Sequence, residues 1–421
     1  MDAVITPSRL GGAVNAPPSK SAAHRLTLCA ALAHGTSRIS PIAPTEDMHA
    51  TIQAAAALGA TLKQRESTLL TQGVGGAAPA ADALLDCGES GSTLRFFIPV
   101  AAALGASAVF TGRGRLPKRP LTPLLDALSS HGVRCTAPYG DAILRIQGKL
   151  LPGAFTLPGN VSSQYITGLL LALPLLDGDS EIRLSSPLES VGYVNMTLEA
   201  MFCFGVSAHS TGSGWRVPGG QRYRSGDHTV EGDYSNAAPW LCAGAIAGPI
   251  TVKGLSPASR QGDRAVLELL RRFGARVEAD AGAVTVSPGG LRGIDIDASQ
   301  IPDLVPVLAA VAAVAAGTTL IHGAARLRIK ESDRLQSTTA ALRALGADVE
   351  ERADSLVVTG RQRLRGGVSE SFSDHRIAMA LSVAALGCEG QVTITGAHCV
   401  AKSYPDFFKE FASLGGLVHV V

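Results

Sequence analysis

The chain has 421 residues, of which 46% are hydrophobic and 17% charged, with 47 glycines and a formal net charge of +2. That length and apolar content suit two or three globular domains rich in turns. A near-neutral charge and only 5% aromatic residues give no nucleic-acid footprint. The opening residues, MDAVITPSRLGG, have no basic stretch followed by an apolar run, so no targeting segment is expected. The longest apolar run, residues 305–317, is too short for a membrane span. The seven cysteines form no CxxC and are irregularly spaced, as expected of free thiols in a cytoplasmic protein.

From the N-terminus, the first strong helix signal is PPSKSAAHRLTLCAALA, which stops at Gly35. Its first turn carries Lys20, His24 and Arg25. The positive end of a helix dipole disfavours cations, so an anion is expected among them. Beyond it, a signature recurs: an apolar helix end, a glycine, then a strand. It falls at Gly59, Gly132, Gly205, Gly274, Gly346 and Gly415, with spacings of 73, 73, 69, 72 and 69 residues. Glycine there predicts a helix C′ position with positive φ. Most of these glycines precede a hairpin-like strand pair, such as ARVEADAGAVTVS (275–287). A second helix–Gly–strand series interleaves with the first. The fold class expected is therefore α/β, with a βαβαββ module repeated six times in two lobes of three. Residues 221–236, QRYRSGDHTVEGDYSN, are the expected crossing between lobes.

The repeat also aligns chemistry. The first helix of each module starts in PPSKSAAHR, CGESGSTLR, GNVSSQYIT, GDYSNAAPW, SQIPDLVPV or FSDHRIAMA. The loops GRGRLPKRP (112–120), RLRIKESDR (326–334) and HCVAKSYPD (398–406) hold most of the cationic clusters. Helix N-termini bind phosphate and carboxylate, and Arg and Lys add to that trap. A serine at a helix start is most often only an N-cap, and an arginine-rich loop most often a solvated surface. Their coincidence at equivalent repeat positions points instead to a multiply anionic small molecule. Other motifs fail: no GxxxxGK[ST], no complete GxGxxG, no GxSxG and no metal-ligand spacing.

These residues resemble the EPSP synthases, the enolpyruvyl transferases of the shikimate pathway. The matching stretches run through essentially the whole chain: PPSKSAAHR, SGSTLRF, LPKRPLTPLLDAL, GNVSSQYITGLLLALPLL, VEGDYSNAA, IPDLVPVLA, RIKESDRL, SDHRIAMAL and VAKSYPDFF. The resemblance implies two lobes of three βαβαββ units. One spans residues 15–228 and mainly binds shikimate 3-phosphate. The other joins residues 1–14 to 229–421 and carries the acid, the base and cations for phosphoenolpyruvate (PEP). The active site would lie in the cleft between them. The implied reaction adds the 5-hydroxyl of shikimate 3-phosphate to C2 of PEP while C3 is protonated, then eliminates phosphate. It implies no cofactor, no metal, a cytoplasmic monomer, and competition between glyphosate and PEP.

Carried over by motif, Lys20 would touch both substrates and move protons. Ser21, Arg25, Ser162, Ser163, Gln164, Ser190, Tyr193, Asp303 and Lys330 would hold shikimate 3-phosphate. Asp303 would take the hydroxyl proton, and Glu331 would protonate the PEP methylene. Gly91, Arg119, Gln164, Arg334, Arg376 and Lys402 would form the PEP site, Gly91 by leaving room. Two positions depart from the familiar pattern: Glu89 replaces Asn, and Arg326 stands where Asn occurs in a well-known form, leaving its role open. His24 stays outside the core site. The rivals are a UDP-N-acetylglucosamine enolpyruvyl transferase and a non-catalytic anion-binding homologue. The first usually carries a reactive cysteine in the loop matching residues 112–120, and none is there. The second predicts loss of Lys20, Asp303 or Glu331, and all three are present.

Overall fold

The computed structural model describes residues 1–77 and 82–421. The chain divides into two compact units, an inserted one, Lys20–Val230, and a discontinuous one, Met1–Ser19 with Glu231–Val421. Among the described residues the inserted unit carries helices α1 (Lys20–Leu32), α2 (Glu46–Ala57), α3 (Gly91–Ala103), α4 (Thr122–Ser129), α5 (Ser163–Ala172) and α6 (Val191–Cys203). The discontinuous unit carries α7 (Tyr234–Ala247), α8 (Val266–Phe273), α9 (Val305–Ala312), α10 (Arg334–Ala344), α11 (His375–Ala385) and α12 (Phe407–Ser413).

Six four-stranded sheets accompany them, each with one parallel pair followed by two antiparallel pairings. This is the expected βαβαββ module, three per unit. All six repeat glycines lie at positive φ, between +75° and +103°. Local chemistry thus placed the helix stops correctly.

Chain order does not show how each unit closes. The leading strand of the first module, Asp227–Thr229, comes from the far end of the inserted unit and runs parallel to Thr36–Ser40. Gly12–Asn15 leads the fourth module, parallel to Ile250–Lys253. The N-terminal strand Ala3–Thr6 sits inside the sixth sheet, between Val392–Thr395 and Leu417–Val420. Strands of three to five residues carry too little pattern for such pairings to be read from sequence.

The first helix of each module is apolar nearly all round and buried. Every residue of α9 and α11 is buried, and twelve of the thirteen in α3. A helix with no polar face can only be a core element. The second helices lie outside them; α8 buries one stripe, Val266, Leu269, Leu270 and Phe273. The central helices pack closely enough to need a missing side chain. A Cβ on Gly168 of α5 would lie 2.4 Å from the Arg95 carbonyl oxygen and 2.8 Å from Pro99 Cγ in α3. Gly168→Ala should therefore destabilise the protein by about 1–3 kcal/mol. A denaturation midpoint equal to that of the parent would contradict this contact.

Candidate active site

In the inserted unit the expected residues collect at helix N-termini. Ser162 caps α5, its Oγ accepting the Gln164 N–H at 3.3 Å, and Ser163 opens the helix. The bland N-cap reading of Ser162 is thus true of this state. Gln164 is locked by two partners: its Oε1 accepts from Arg95 Nη1 at 3.0 Å, and its Nε2 donates to Ser92 Oγ at 3.0 Å. Arg95 also donates to the Pro120 carbonyl at 3.1 Å and packs over the Tyr165 ring. It ties α3, α5 and the cationic loop together, a role sequence reading missed. The only sequence signal was an arginine four residues after Gly91 in SGSTLR.

Gly91 begins α3, and a Cβ there would lie 2.6 Å from Arg119 Nη1 and 2.7 Å from Arg95 Nη1. Two guanidinium groups therefore converge on its bare Cα. Arg119 follows the 3-10 turn Leu116–Lys118 in extended conformation, anchored by buried Leu116. Ser190, at the start of α6, is buried and left-handed at φ +57°. A non-glycine residue there stores strain of the sort found at functional sites.

The first turn of α1 resolves differently from expectation. Lys20 pairs with Asp47 at 2.7 Å, a partner supplied by the N-terminus of α2. His24 is not a cation. Burial, with Lys20 and Arg25 adding to it against Asp47, pushes its pKa down to about 3. Its Nδ1 meets Thr51 Oγ1 at 2.6 Å instead. Arg25 is buried; it donates to the Ser21 carbonyl at 2.7 Å, the Tyr193 carbonyl at 3.0 Å and Thr197 Oγ1 at 2.8 Å. Burial lowers its pKa to about 10, which leaves it charged at neutral pH.

In the discontinuous unit the expected residues converge on one guanidinium. Arg334 opens α10 and is 1% exposed. Its Nε and Nη2 meet Asp374 Oδ2 and Oδ1 at 2.8 and 3.2 Å. Nη1 meets Asp303 Oδ1 at 2.7 Å, and Nη2 meets Glu331 Oε2 at 2.9 Å. Lys330 adds a second cation to Asp303 at 3.3 Å. Burial disfavours the Arg334 charge, but Asp374, Glu331 and Asp303 outweigh it and raise its pKa. Burial also lowers the pKa of Lys330, with Arg334 and Arg326 adding to the effect against Asp303 and Glu331.

Asp374 was missed, although SDHR sat in a singled-out motif. It caps α11, accepting the Arg376 N–H at 2.9 Å, and accepts from Ser332 Oγ at 2.9 Å. Arg376 donates to the Ser235 carbonyl and Oγ at 2.7 and 2.8 Å. Lys402 donates to the Ser373 carbonyl at 2.9 Å. That carbonyl belongs to a strained turn, Phe372 and Ser373 both lying at φ +53°. Of the two departures, the Glu89 carboxylate packs against Gly114 of the cationic loop, where a Cβ would meet it at 2.6 Å. Arg326 donates to the Ser299 carbonyl at 2.7 Å.

Each unit by itself thus gathers cations and helix N-termini suited to anionic ligands, and the discontinuous one adds carboxyl groups suited to proton transfer. Comparison with known proteins agrees. A family model described as EPSP synthase (3-phosphoshikimate 1-carboxyvinyltransferase) matches residues 4–411. The chain is 45% identical over 415 residues to the 3-phosphoshikimate 1-carboxyvinyltransferase of Clostridium kluyveri, covering 98% of this chain and 97% of that one. It is 43% identical over 427 residues to the enzyme of that name from Clostridium acetobutylicum, covering 99% and 97%. Among solved structures, EPSP synthase from Acinetobacter baumannii superimposes with a TM-score of 0.83 at 28% identity, covering 100% of both chains.

The Arg334 cluster yields a stability prediction. Asp374→Ala removes the fully buried one of the three carboxylates on Arg334 and leaves Asp303 and Glu331; it should cost about 3 kcal/mol at pH 7, measured by urea unfolding. Burial would raise the Asp374 pKa, but Arg334 and then His375 outweigh it and hold it below the ordinary value. The pair's stability is therefore complete above the unfolded value of about 4 and drains as pH falls through the folded one. The cost of Asp374→Ala should shrink at pH 3; equal costs at both pH values would refute the pairing.

Proposed function

The chain belongs to the EPSP synthase family, and from that premise we propose how its residues divide the work. It is a transferase that moves the enolpyruvyl group of PEP in the shikimate pathway. Its substrates are shikimate 3-phosphate and PEP.

In the proposed division, the inserted unit holds shikimate 3-phosphate. Ser162, Ser163 and Ser190 take the phosphate at the N-termini of α5 and α6, Gln164 and Tyr193 sit beside it, and Ser21 and Arg25 serve the carboxylate end. Lys20 reaches both substrates. Arg119, with Gly91 leaving it room, binds PEP together with Gln164, Arg334, Arg376 and Lys402. Asp303 accepts the 5-hydroxyl proton, with Lys330 on the same substrate, and Glu331 protonates C3 of PEP. Arg328, by contrast, is taken up by Asp333 and Glu351 and serves the loop.

One observation carries the acid–base assignment: Asp303 and Glu331 are both held by Arg334, at 2.7 and 2.9 Å. A single guanidinium therefore keeps two carboxyl groups within its own span, as an addition needing one proton removed and one delivered requires. All seven cysteines are free thiols, and no described helix is long and apolar enough to cross a membrane. Those facts support the reading of a cytoplasmic enzyme, which we take to act as a monomer.

Phosphate release from PEP should require shikimate 3-phosphate. Asp303→Ala and Glu331→Ala should each lower kcat by about 10²–10⁴-fold. Full activity in either variant would remove that residue from the proton chemistry. Gly91→Ala pushes a methyl group at the guanidinium ends of Arg119 and Arg95, side-chain atoms and not backbone, so the fold should survive. KM for PEP should rise roughly tenfold, a loss of about 1.4 kcal/mol, and glyphosate, as a competitor of PEP, should weaken in parallel. An inhibition titration in which glyphosate does not compete with PEP would end that part of the reading.

A further inference from the structure

Asp263 has no part in the assignments above. It lies in the 3-10 turn Gly262–Ala265 before α8 and is 4% exposed. Its Oδ2 receives the Ser235 hydroxyl at 2.5 Å, while its Oδ1 is buried without a hydrogen-bond partner among the described residues. Ser235, in the first turn of α7, offers two acceptors to Arg376, its carbonyl to Nη1 and its Oγ to Nη2. A serine hydroxyl has a single proton. Given to Asp263, that proton leaves the Oγ lone pairs turned to the guanidinium.

The loop that brings Asp263 there is itself fixed. Gln261 accepts the Tyr234 N–H at 2.9 Å and donates to the Gly232 carbonyl at 2.8 Å, and Ser259 Oγ accepts the Gln261 N–H at 3.1 Å. Burying a half-satisfied carboxyl is costly, and an apolar residue would fill the space more cheaply. The charged groups facing it are Asp303 before α9, Arg376 of α11 and Asp233 capping α7. Burial, then Asp303, push its pKa up to about 7; Ser235 and Arg376 oppose this and Asp233 adds to it.

We propose that Asp263 is a positioning residue: its carboxyl oxygen fixes the Ser235 hydroxyl so that Ser235 holds the Arg376 guanidinium in the orientation that binds PEP. This rests on Arg376 being a PEP ligand. The Asp263 hydrogen bond leads through Ser235 to Arg376 and PEP, while Asp303 is met only through space, so PEP binding should carry most of the effect.

The test measures KM for PEP between pH 6 and 8.5, and shikimate 3-phosphate affinity by calorimetry, in the parent, Asp263→Ala, Asp263→Asn and Arg376→Ala. Asp263→Ala should raise KM for PEP at least tenfold and leave shikimate 3-phosphate affinity within twofold. Asparagine keeps an acceptor oxygen for the Ser235 proton, as the neutral carboxyl does, so Asp263→Asn should restore KM for PEP to within about threefold of the parent across that pH range. Unchanged KM in Asp263→Ala, equal weakening of both substrates, or a KM in Asp263→Asn no better than in Asp263→Ala would overturn the proposal. If Asp263→Ala does not fold, Ser235→Ala, which removes the same hydroxyl, decides: it should raise KM for PEP and not weaken shikimate 3-phosphate equally. If Arg376→Ala leaves KM for PEP unchanged, the assignment of Arg376 falls and the role of Asp263 with it. If Arg376→Ala raises KM and Asp263→Ala does not, the role of Asp263 falls alone.

Discussion

Arg334 is a cation removed from water, and the arrangement of the discontinuous unit follows from keeping it charged. A guanidinium at 1% exposure needs carboxylates at hydrogen-bond distance. It also sits in the first turn of a helix, where the dipole adds to the cost. Asp374, Asp303 and Glu331 meet that need from three segments of chain. Each carboxylate is thereby fixed in place before any substrate arrives. Asp374 passes the order on: it caps α11, and so sets where Arg376 begins. Preorganisation of this sort lets charges stabilise a reaction without reorganising during it.

The inserted unit reaches a similar end by different means. Two of its buried arginines meet neutral partners. Arg25 lies among carbonyls, hydroxyls and the Phe96 and Tyr193 rings, and Arg95 between Gln164, Pro120 and Tyr165. Carbonyl and ring contacts orient a guanidinium without cancelling its charge. This suits the anion-binding role proposed for that unit. Lys20 is paired with Asp47 instead. Throughout, the central helices are the frame. Their apolar circumference buries them, and their N-terminal turns, where polar residues begin, carry many of the candidate site residues.

Much of this was legible beforehand. The six glycines announced the helix stops, since positive φ is a property of one residue and its neighbours. The serines of GNVSSQYIT and the cations of RIKESDRL and VAKSYPDFF were visible as types in a repeating frame. Less legible was what each group would meet. His24 was counted among first-turn cations, yet burial leaves it neutral. Asp47, Arg95 and Asp374 are structural partners of expected site residues; Arg95 and Asp374 lay inside quoted motifs, but nothing there showed which side chains they would meet.

By itself, then, the sequence determined the module, its sixfold recurrence, the family and the residue types at each helix start, because these depend on short-range backbone preference and on motifs contiguous in the chain. The tertiary structure alone decided that a strand from residues 227–229 opens the first module, and that Ala3–Thr6 completes the sixth. It decided that Arg334 would be shared with partners 31 and 40 residues away, and that Asp263 would be buried against Ser235. Those outcomes rest on desolvation and on contacts between distant segments. Neither has a local signature, because burial is a property of the packed chain and not of any residue in it.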